Sequence, residues 1–480
     1  MINVKRTCIE IIPYTKDNRN LKLEEMLSVY DPITFSSTPL AFYYDKDNEI
    51  LKLPRSLGIS KLETMFNEPV NIDKSSDDYE RAIIKLKTQP RNEKQTKAIS
   101  FFLGKGDFEN IKNHSRLLLE GDTGFGKTYC AVAAIAYSKE KGAIILNNES
   151  LFEQWKDKMI KYTDLDESEI YIIKGSKSID KLMKEKNIKY KIFLISHKTL
   201  QSYATKNSWS SITELFKKLC IGVKIYDEAH EAFGNIIKID FFTNTKKTIY
   251  LTATADRSNK KESFIYKLVF GQVPTLVLLR KAEEAFVETL VLKYDSNPSL
   301  MQLSSMKTKM GMSSHKYLDY TVFNKGKEQF FKAIDIVLNS IEDKDGKAGF
   351  LLGKKSVVSA MFQYLTKIKG YDSDDIGILT SDVKDKKERE LQKEKKIILS
   401  THKSLGTGLD IDDLRFMIMC EAFSSKIILK QSMGRLRDIG GNLYYIIILD
   451  VGVHSRKNQH DTISKDLLKL SSKVTEFNIK

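Results

Sequence analysis

The sequence predicts an α/β chain, with two tandem parallel-sheet domains behind a small α+β N-terminal module. Three observations carry that prediction. First, from about residue 86 short apolar runs alternate with helix-like stretches, the pattern of strands joined by crossover helices. Second, Gly121-Asp122-Thr123-Gly124-Phe125-Gly126-Lys127-Thr128 fits Gly-x-x-x-x-Gly-Lys-Thr between an apolar run and a helix-like run. Third, the apolar segments 40–44 and 50–54 flank the polar residues 45–48, which reads as a β-hairpin.

Taken in order, residues 1–85 form the small module, and the polar stretch 71–80 is its linker. Residues 86–270 form the first sheet domain, with strands near Leu117 and over 143–146, 192–196, 221–226 and 248–252. Residues 271–480 form the second, with strands over 288–293, 349–352, 376–379, 396–400, 415–419 and 444–449. The second lacks a phosphate loop of its own. Segment 296–327, with Lys307, Lys309 and Lys316, reads as an insertion or long loop, either touching nucleic acid or simply solvated.

Bulk properties narrow the class. The chain has 480 residues, 41% of them hydrophobic and 29% charged, enough for full cores. Its net charge of +15 favours a polyanionic partner, nucleic acid first. The four cysteines, Cys8, Cys130, Cys220 and Cys420, lie far apart and suggest neither zinc nor a disulfide framework. No run is long enough to span a bilayer, so a cytoplasmic protein without membrane contact is expected, and a monomer.

The glycine loop states the chemistry. Gly121, Gly124 and Gly126 let the backbone wrap closely around phosphates, so that N–H groups and the helix N-terminus face the anion. Lys127 would reach the β- and γ-phosphates and the Thr128 hydroxyl would bind Mg²⁺. Asp227-Glu228-Ala229-His230 follows the strand at 221–226. An acidic pair at a strand end, one sheet position from the loop, can hold Mg²⁺ through Asp227 and orient the attacking water through Glu228. A capped helix start is the plainer reading of those four residues taken alone. Leu251-Thr252-Ala253-Thr254 ends the next strand, and its hydroxyls could bond the acidic pair. In the second half, Gln431, Arg435 and Arg437 precede a strand, where a guanidinium can neutralise charge developing on a γ-phosphate. Gly408 and Asp410 lie in a glycine turn that can face both nucleotide and phosphodiester.

These pieces, in this order, resemble the superfamily 2 helicases over residues 86–455. Gln95, after Pro90 and Arg91, resembles the glutamine that reads adenine in that family, so the resemblance implies ATP as the nucleotide. Residues 143–150 with Gln154 and Trp155 resemble motif Ia and its flank, with Asn147 and Asn148 where the family has Pro-Thr. Ser196, His197 and Thr199 resemble a strand-binding loop. Asp227 to His230 resembles motif II, and Thr252 to Thr254 motif III, which implies a coupling role for His230, Thr252 and Thr254. Gly353 closes a stretch similar to motif IV; Ser400, Thr401 and residues 406–410 resemble motif V, with Lys403 a nucleic-acid-contact candidate nearby, and residues 431–437 resemble motif VI. The family's final arginine position holds Asp438, so the finger falls to Arg435 or Arg437.

The resemblance implies two RecA-like domains, ATP and Mg²⁺ as cofactors, and DNA gripped mainly through its phosphates. Within the superfamily, residues 42–57 resemble the start of phage UvsW-type and T5-type branch-migration helicases. Forked or branched DNA, in phage replication, recombination or repair, is the expected track, and the host cytoplasm the expected location. Two other readings stay open. One is a duplex translocase for transcript release or protein–DNA remodelling. The other is a non-catalytic, ATP-gated DNA clamp.

Overall fold

The computed structural model describes the chain except residues 32–35, 74–78, 123, 254–259, 280–283, 309–310, 343, 384, 403, 405–410, 439 and 480. The described residues divide into two compact units, the first running to Leu278 apart from Asp122 and Gly124, the second from Leu279 onward.

The first unit opens with a five-stranded sheet. Its strands are β1 (Ile2–Val4), β2 (Cys8–Ile11), β3 (Tyr43–Asp45), β4 (Ile50–Pro54) and β5 (Val70–Ile72), in the order β3-β4-β2-β1-β5. The expected hairpin is β3–β4, antiparallel with Tyr43 opposite Lys52 and Asp45 opposite Ile50. Ile2, Val4, Ile9, Leu51 and Leu53 are fully buried, but they do not close a core of their own. They share one cluster with Tyr226, Phe233, Phe241, Tyr250 and Phe270 of the following sheet domain. Tyr43 meets Phe242 edge-on at 5.0 Å. The Thr7 hydroxyl donates to the Thr243 carbonyl, and Arg116 Nη2 donates to Ser56 Oγ at 2.7 Å.

The sheet domain of this unit has seven parallel strands. They are β6 (Arg116–Gly121), β7 (Gly142–Leu146), β8 (Ile170–Ile173), β9 (Ile192–Ser196), β10 (Val223–Tyr226), β11 (Lys247–Thr252) and β12 (Thr275–Leu278). Their order is β8-β9-β7-β10-β11-β6-β12. Central strands read as continuous apolar runs because both faces are covered, and β7 and β9 are buried at every position. Two strands escape the sequence, β8 and β12, because edge strands carry polar or half-exposed positions. β12 pairs with β6 and carries the first unit to Leu278, past the expected boundary at 270.

The charged heart of this domain is Lys224, fully buried on β10. Its ammonium bonds Asp240 Oδ1 at 2.6 Å, and the Tyr226 hydroxyl donates to the same oxygen at 2.8 Å. A charge so deep is tolerated because carboxylate and hydroxyls satisfy it together.

The second unit repeats the plan. Its strands are β13 (Val287–Tyr294), β14 (Lys347–Leu352), β15 (Ile376–Leu379), β16 (Ile397–Thr401), β17 (Leu414–Met419), β18 (Leu443–Asp450) and β19 (Lys473–Asn478). All pairs are parallel, in the order β15-β16-β14-β17-β18-β13-β19. The unexpected edge strand β19 has alternating polar residues, which hid it. Segment 296–327 is not a loop. It forms helices Leu300–Met306 and Ser314–Phe323, and Tyr317, Leu318, Tyr320 and Val322 join the buried core. Lysine and serine density masked that apolar helical face.

Candidate nucleotide site

β6 delivers the chain to Gly121, and the helix Lys127–Ser138 leads it away. Nine of the helix positions, mostly alanine and small apolar residues, are buried, so it lies flush against the sheet. The turn between them depends on glycine. Gly124 sits at φ 84° and Gly126 at φ 95°, in the left-handed region. A Cβ on Gly126 would collide with the Gln95 amide.

That contact defines what Gln95 does here. It lies on the first turn of the helix Glu93–Leu103, and Asn92 caps the helix by accepting from the Gln95 N–H. Its buried amide donates through Nε2 to the Phe125 carbonyl at 3.1 Å and accepts from the Arg91 N–H at 3.0 Å. Arg91 Nη2 donates to the same carbonyl at 3.2 Å. Gln95 and Arg91 therefore brace the loop from behind. Nothing in the sequence marked Arg91 for this role. Lys127 is buried, with its ammonium donating to the Gly121 carbonyl at 2.7 Å, so a cation is held at the mouth of the loop. Thr128 follows on the first helical turn, half-buried. Asp122 is half-buried in the loop, and Thr123 lies outside the described residues.

Asp227 and Glu228 stand just past the end of β10. The sheet order corrects one expectation: β10 is not next to β6, because β11 lies between them and carries Thr252 at its end. Asp227 Oδ2 accepts from the Trp155 indole at 2.9 Å, and Oδ1 accepts from the Glu228 N–H at 3.1 Å. Desolvation, then the neighbouring Glu228 charge, push its carboxyl up to about 6, although Trp155, Lys127 and Lys158 pull the other way. Glu228 sits at φ 47°, an uncommon left-handed conformation for a side chain. Asn147 Nδ2 holds that backbone by donating to the Glu228 carbonyl at 3.2 Å, and it also bonds Glu231 at 2.9 Å. His230 Nδ1 lies 3.1 Å from the Thr252 hydroxyl and 3.3 Å from Glu228 Oε2, so Glu228, His230 and Thr252 are linked in space. Thr254 lies outside the described residues.

The donor set fits Mg²⁺. Thr128 and Asp227 offer hard oxygens, and a desolvated Asp227 carboxyl beside a second acidic side chain is what a divalent cation relieves.

Several residues expected to touch nucleic acid have other work. Ser196 caps the helix His197–Asn207, accepting from the Thr199 N–H at 3.1 Å, and its hydroxyl lies 2.9 Å from Thr199 Oγ1. Ser196, His197 and Thr199 are buried, and His197 stacks on Tyr226 at 5.8 Å. Their side chains cannot meet a phosphate in this conformation. Asn148 is exposed but caps the short turn Glu149–Leu151. In the second unit Gly353 follows β14, where a Cβ would collide with the Glu421 carboxylate. Thr401 ends β16 with its hydroxyl donating to Ser404 at 3.0 Å. Gln431 lies on the helix Lys426–Met433; Arg435, just beyond it, is half-buried, and Arg437 is exposed. Lys403, Gly408 and Asp410 lie outside the described residues.

A parallel sheet bearing a phosphate loop after one strand and an Asp-Glu pair after another defines the P-loop nucleotide-binding class, here followed by a second sheet of the same plan. Residues 85–257 match the family described as "Type III restriction enzyme, res subunit", and residues 330–440 match "Helicase conserved C-terminal domain". Together the two matches support a superfamily 2 helicase. It is 25% identical over 330 residues to the transcript termination protein A18 of Yaba-like disease virus, covering 65% of this chain and 62% of that protein. It is 27% identical over 147 residues to the DNA 3'-5' helicase XPB of Kineococcus radiotolerans, covering 30% of this chain and 24% of that one. The chain thus spans less than two thirds of either relative. Among solved structures, S. cerevisiae Dbp5 bound to RNA and ADP BeF3 superposes with a TM-score of 0.55 at 13% identity, over 82% of this chain and 91% of that one, a likeness of fold. T4 UvsW aligns over 99% of both chains at 15% identity, with a TM-score of only 0.37. Among the described residues no helix is long and apolar enough to cross a membrane.

Proposed function

We propose that the protein is an ATP-dependent DNA translocase or helicase that remodels branched DNA. One observation carries the motor reading: Lys127, Asp227 and Glu228 all stand at the C-terminal ends of strands of one parallel sheet, where such sheets place their chemistry. Lys127 binds the β- and γ-phosphates. Thr128 and Asp227 hold Mg²⁺, which when bound neutralises charge on the phosphate oxygens. Glu228 orients a water and takes its proton as the oxygen attacks the γ-phosphorus and the bond to ADP breaks. Glu228 beside His230, and His230 bonded in turn to Thr252, pass the nucleotide's state along the sheet edge. Arg435 and Arg437 are the candidates for the arginine that neutralises transition-state charge, with Gln431 beside them. Half-buried Arg435 is the better held of the two.

The surplus of basic residues supports DNA as the track, gripped through phosphates without sequence preference and weakened by salt. Asn148, Gly353, Thr401 and Lys403 are the remaining contact candidates. The branched-DNA reading rests on the resemblance of residues 42–57 to phage branch-migration enzymes. A second reading, a duplex translocase acting in transcript release, is favoured by the 330-residue similarity to a viral transcript termination protein. Single-turnover assays on a synthetic four-way junction and on a stalled transcription complex separate them. Branch movement without transcript release supports the first reading; the converse overturns it.

A further inference from the structure

Leu300 and Met301 are 86% and 82% exposed and adjacent in sequence. Single exposed apolar residues are ordinary, but two long ones side by side at the start of a helix point at something. The helix that carries them, Leu300–Met306, is held firmly. Gln302 Oε1 accepts from the Ser299 N–H at 2.7 Å and Ser299 Oγ accepts from the Gln302 N–H at 3.3 Å, a complete capping box. Met306 is buried at its far end, and Leu303 packs on the core. Just upstream, Ser296 Oγ donates to Asp450 Oδ2 at 2.6 Å, the Tyr317 hydroxyl donates to the same oxygen at 3.1 Å, and the Tyr320 hydroxyl donates to the Ser296 carbonyl at 2.8 Å. This buried network ties the segment to the ends of β13 and β18. The apolar pair therefore stands on a rigid platform rather than a loose tip.

Its position and surroundings narrow the partner. The helix follows β13 at the C-terminal edge of the second sheet, the same edge that ends in Gly353 and Thr401. Exposed Lys307, Thr308, His315 and Lys316 come next along the chain, and Lys316 Nζ reaches the Lys307 carbonyl at 3.4 Å. An apolar tip with exposed cations following it on the same segment complements a ligand with apolar faces and anionic edges, which describes nucleic acid more closely than a protein surface. Apolar side chains wedged between base steps, with phosphates held by lysines alongside, are established recognition chemistry.

We propose that Leu300 and Met301 form a wedge that packs against the last base pair of a duplex at a junction, with Lys307 and Lys316 on the flanking phosphates. The proposal rests on the motor reading above. The test compares wild type with the double variant Leu300→Ser/Met301→Ser, measuring strand separation of a forked duplex and DNA-stimulated ATP turnover in parallel. The wedge predicts a loss of separation of roughly tenfold with turnover kept within about twofold, since unstacking is what the pair assists. The swap Leu300→Met/Met301→Leu keeps the apolar bulk and should restore separation. A double variant that separates strands as well as wild type overturns the wedge and leaves the pair to a protein partner. Wild type that hydrolyses ATP on DNA but separates no strands also overturns it, while leaving the motor reading intact. Absence of DNA-stimulated turnover in wild type overturns the motor reading itself.

Discussion

At the scale of single residues, the phosphate loop was almost fully legible, because its glycines answer to backbone geometry. Gly126 at φ 95° backs directly onto the Gln95 amide. Gly126→Ala should fold, since the strain of a side chain there costs only about 1–3 kcal/mol. ATP turnover should nevertheless fall by roughly a hundredfold, the scale of losing one aligned phosphate donor. Turnover near wild type would show that the loop does not shape the site. The acidic pair was legible as residue types. Its setting was not: Trp155 on Asp227, Asn147 on the Glu228 backbone and Arg91 on the loop arrive from segments distant in sequence. Only folding brings them together.

At the scale of elements, apolar periodicity revealed the strands buried on both faces and one edge strand, β15, but missed the edge strands β8, β12 and β19. The same ambiguity misplaced Ser196, His197 and Thr199. A hydroxyl and imidazole after a strand read equally as a phosphate grip or as a buried helix cap, and burial decides for the cap. That outcome has a pH signature. Burial lowers His197 from its ordinary 6.5 to about 4, opposed by the Asp240 charge. A lowered value means the folded state favours the neutral ring. Its full stabilisation holds above pH 6.5 and is lost as pH falls from 6.5 towards 4, amounting to about 3 kcal/mol. Urea unfolding at pH 7.5 and pH 5 should show wild type losing more stability than His197→Phe. Equal losses would mean that His197 is not buried as a neutral ring.

At the scale of the whole molecule, the N-terminal sheet is part of the first unit and shares its core. Deleting residues 1–72 would remove one part of the core cluster that also holds Phe241, Tyr250 and Phe270, at roughly 1.5–3 kcal/mol for each large apolar side chain left exposed. The truncated chain should therefore aggregate or melt early, as read by calorimetry. A truncated protein with unchanged melting would make the module an independent attachment. The hairpin was visible in sequence; its fusion to the sheet domain was not, because contacts such as Tyr43 with Phe242 span some two hundred residues.

On the proposed function the chain is a nucleic-acid-driven ATPase. Phosphate release should be measured with no nucleic acid, single-stranded DNA, duplex, fork, four-way junction and RNA, for wild type and Glu228→Gln side by side. Strong stimulation by DNA, greatest on branched forms, is predicted, with Glu228→Gln binding ATP but releasing little phosphate. Turnover indifferent to nucleic acid, or undiminished in Glu228→Gln, would contradict it.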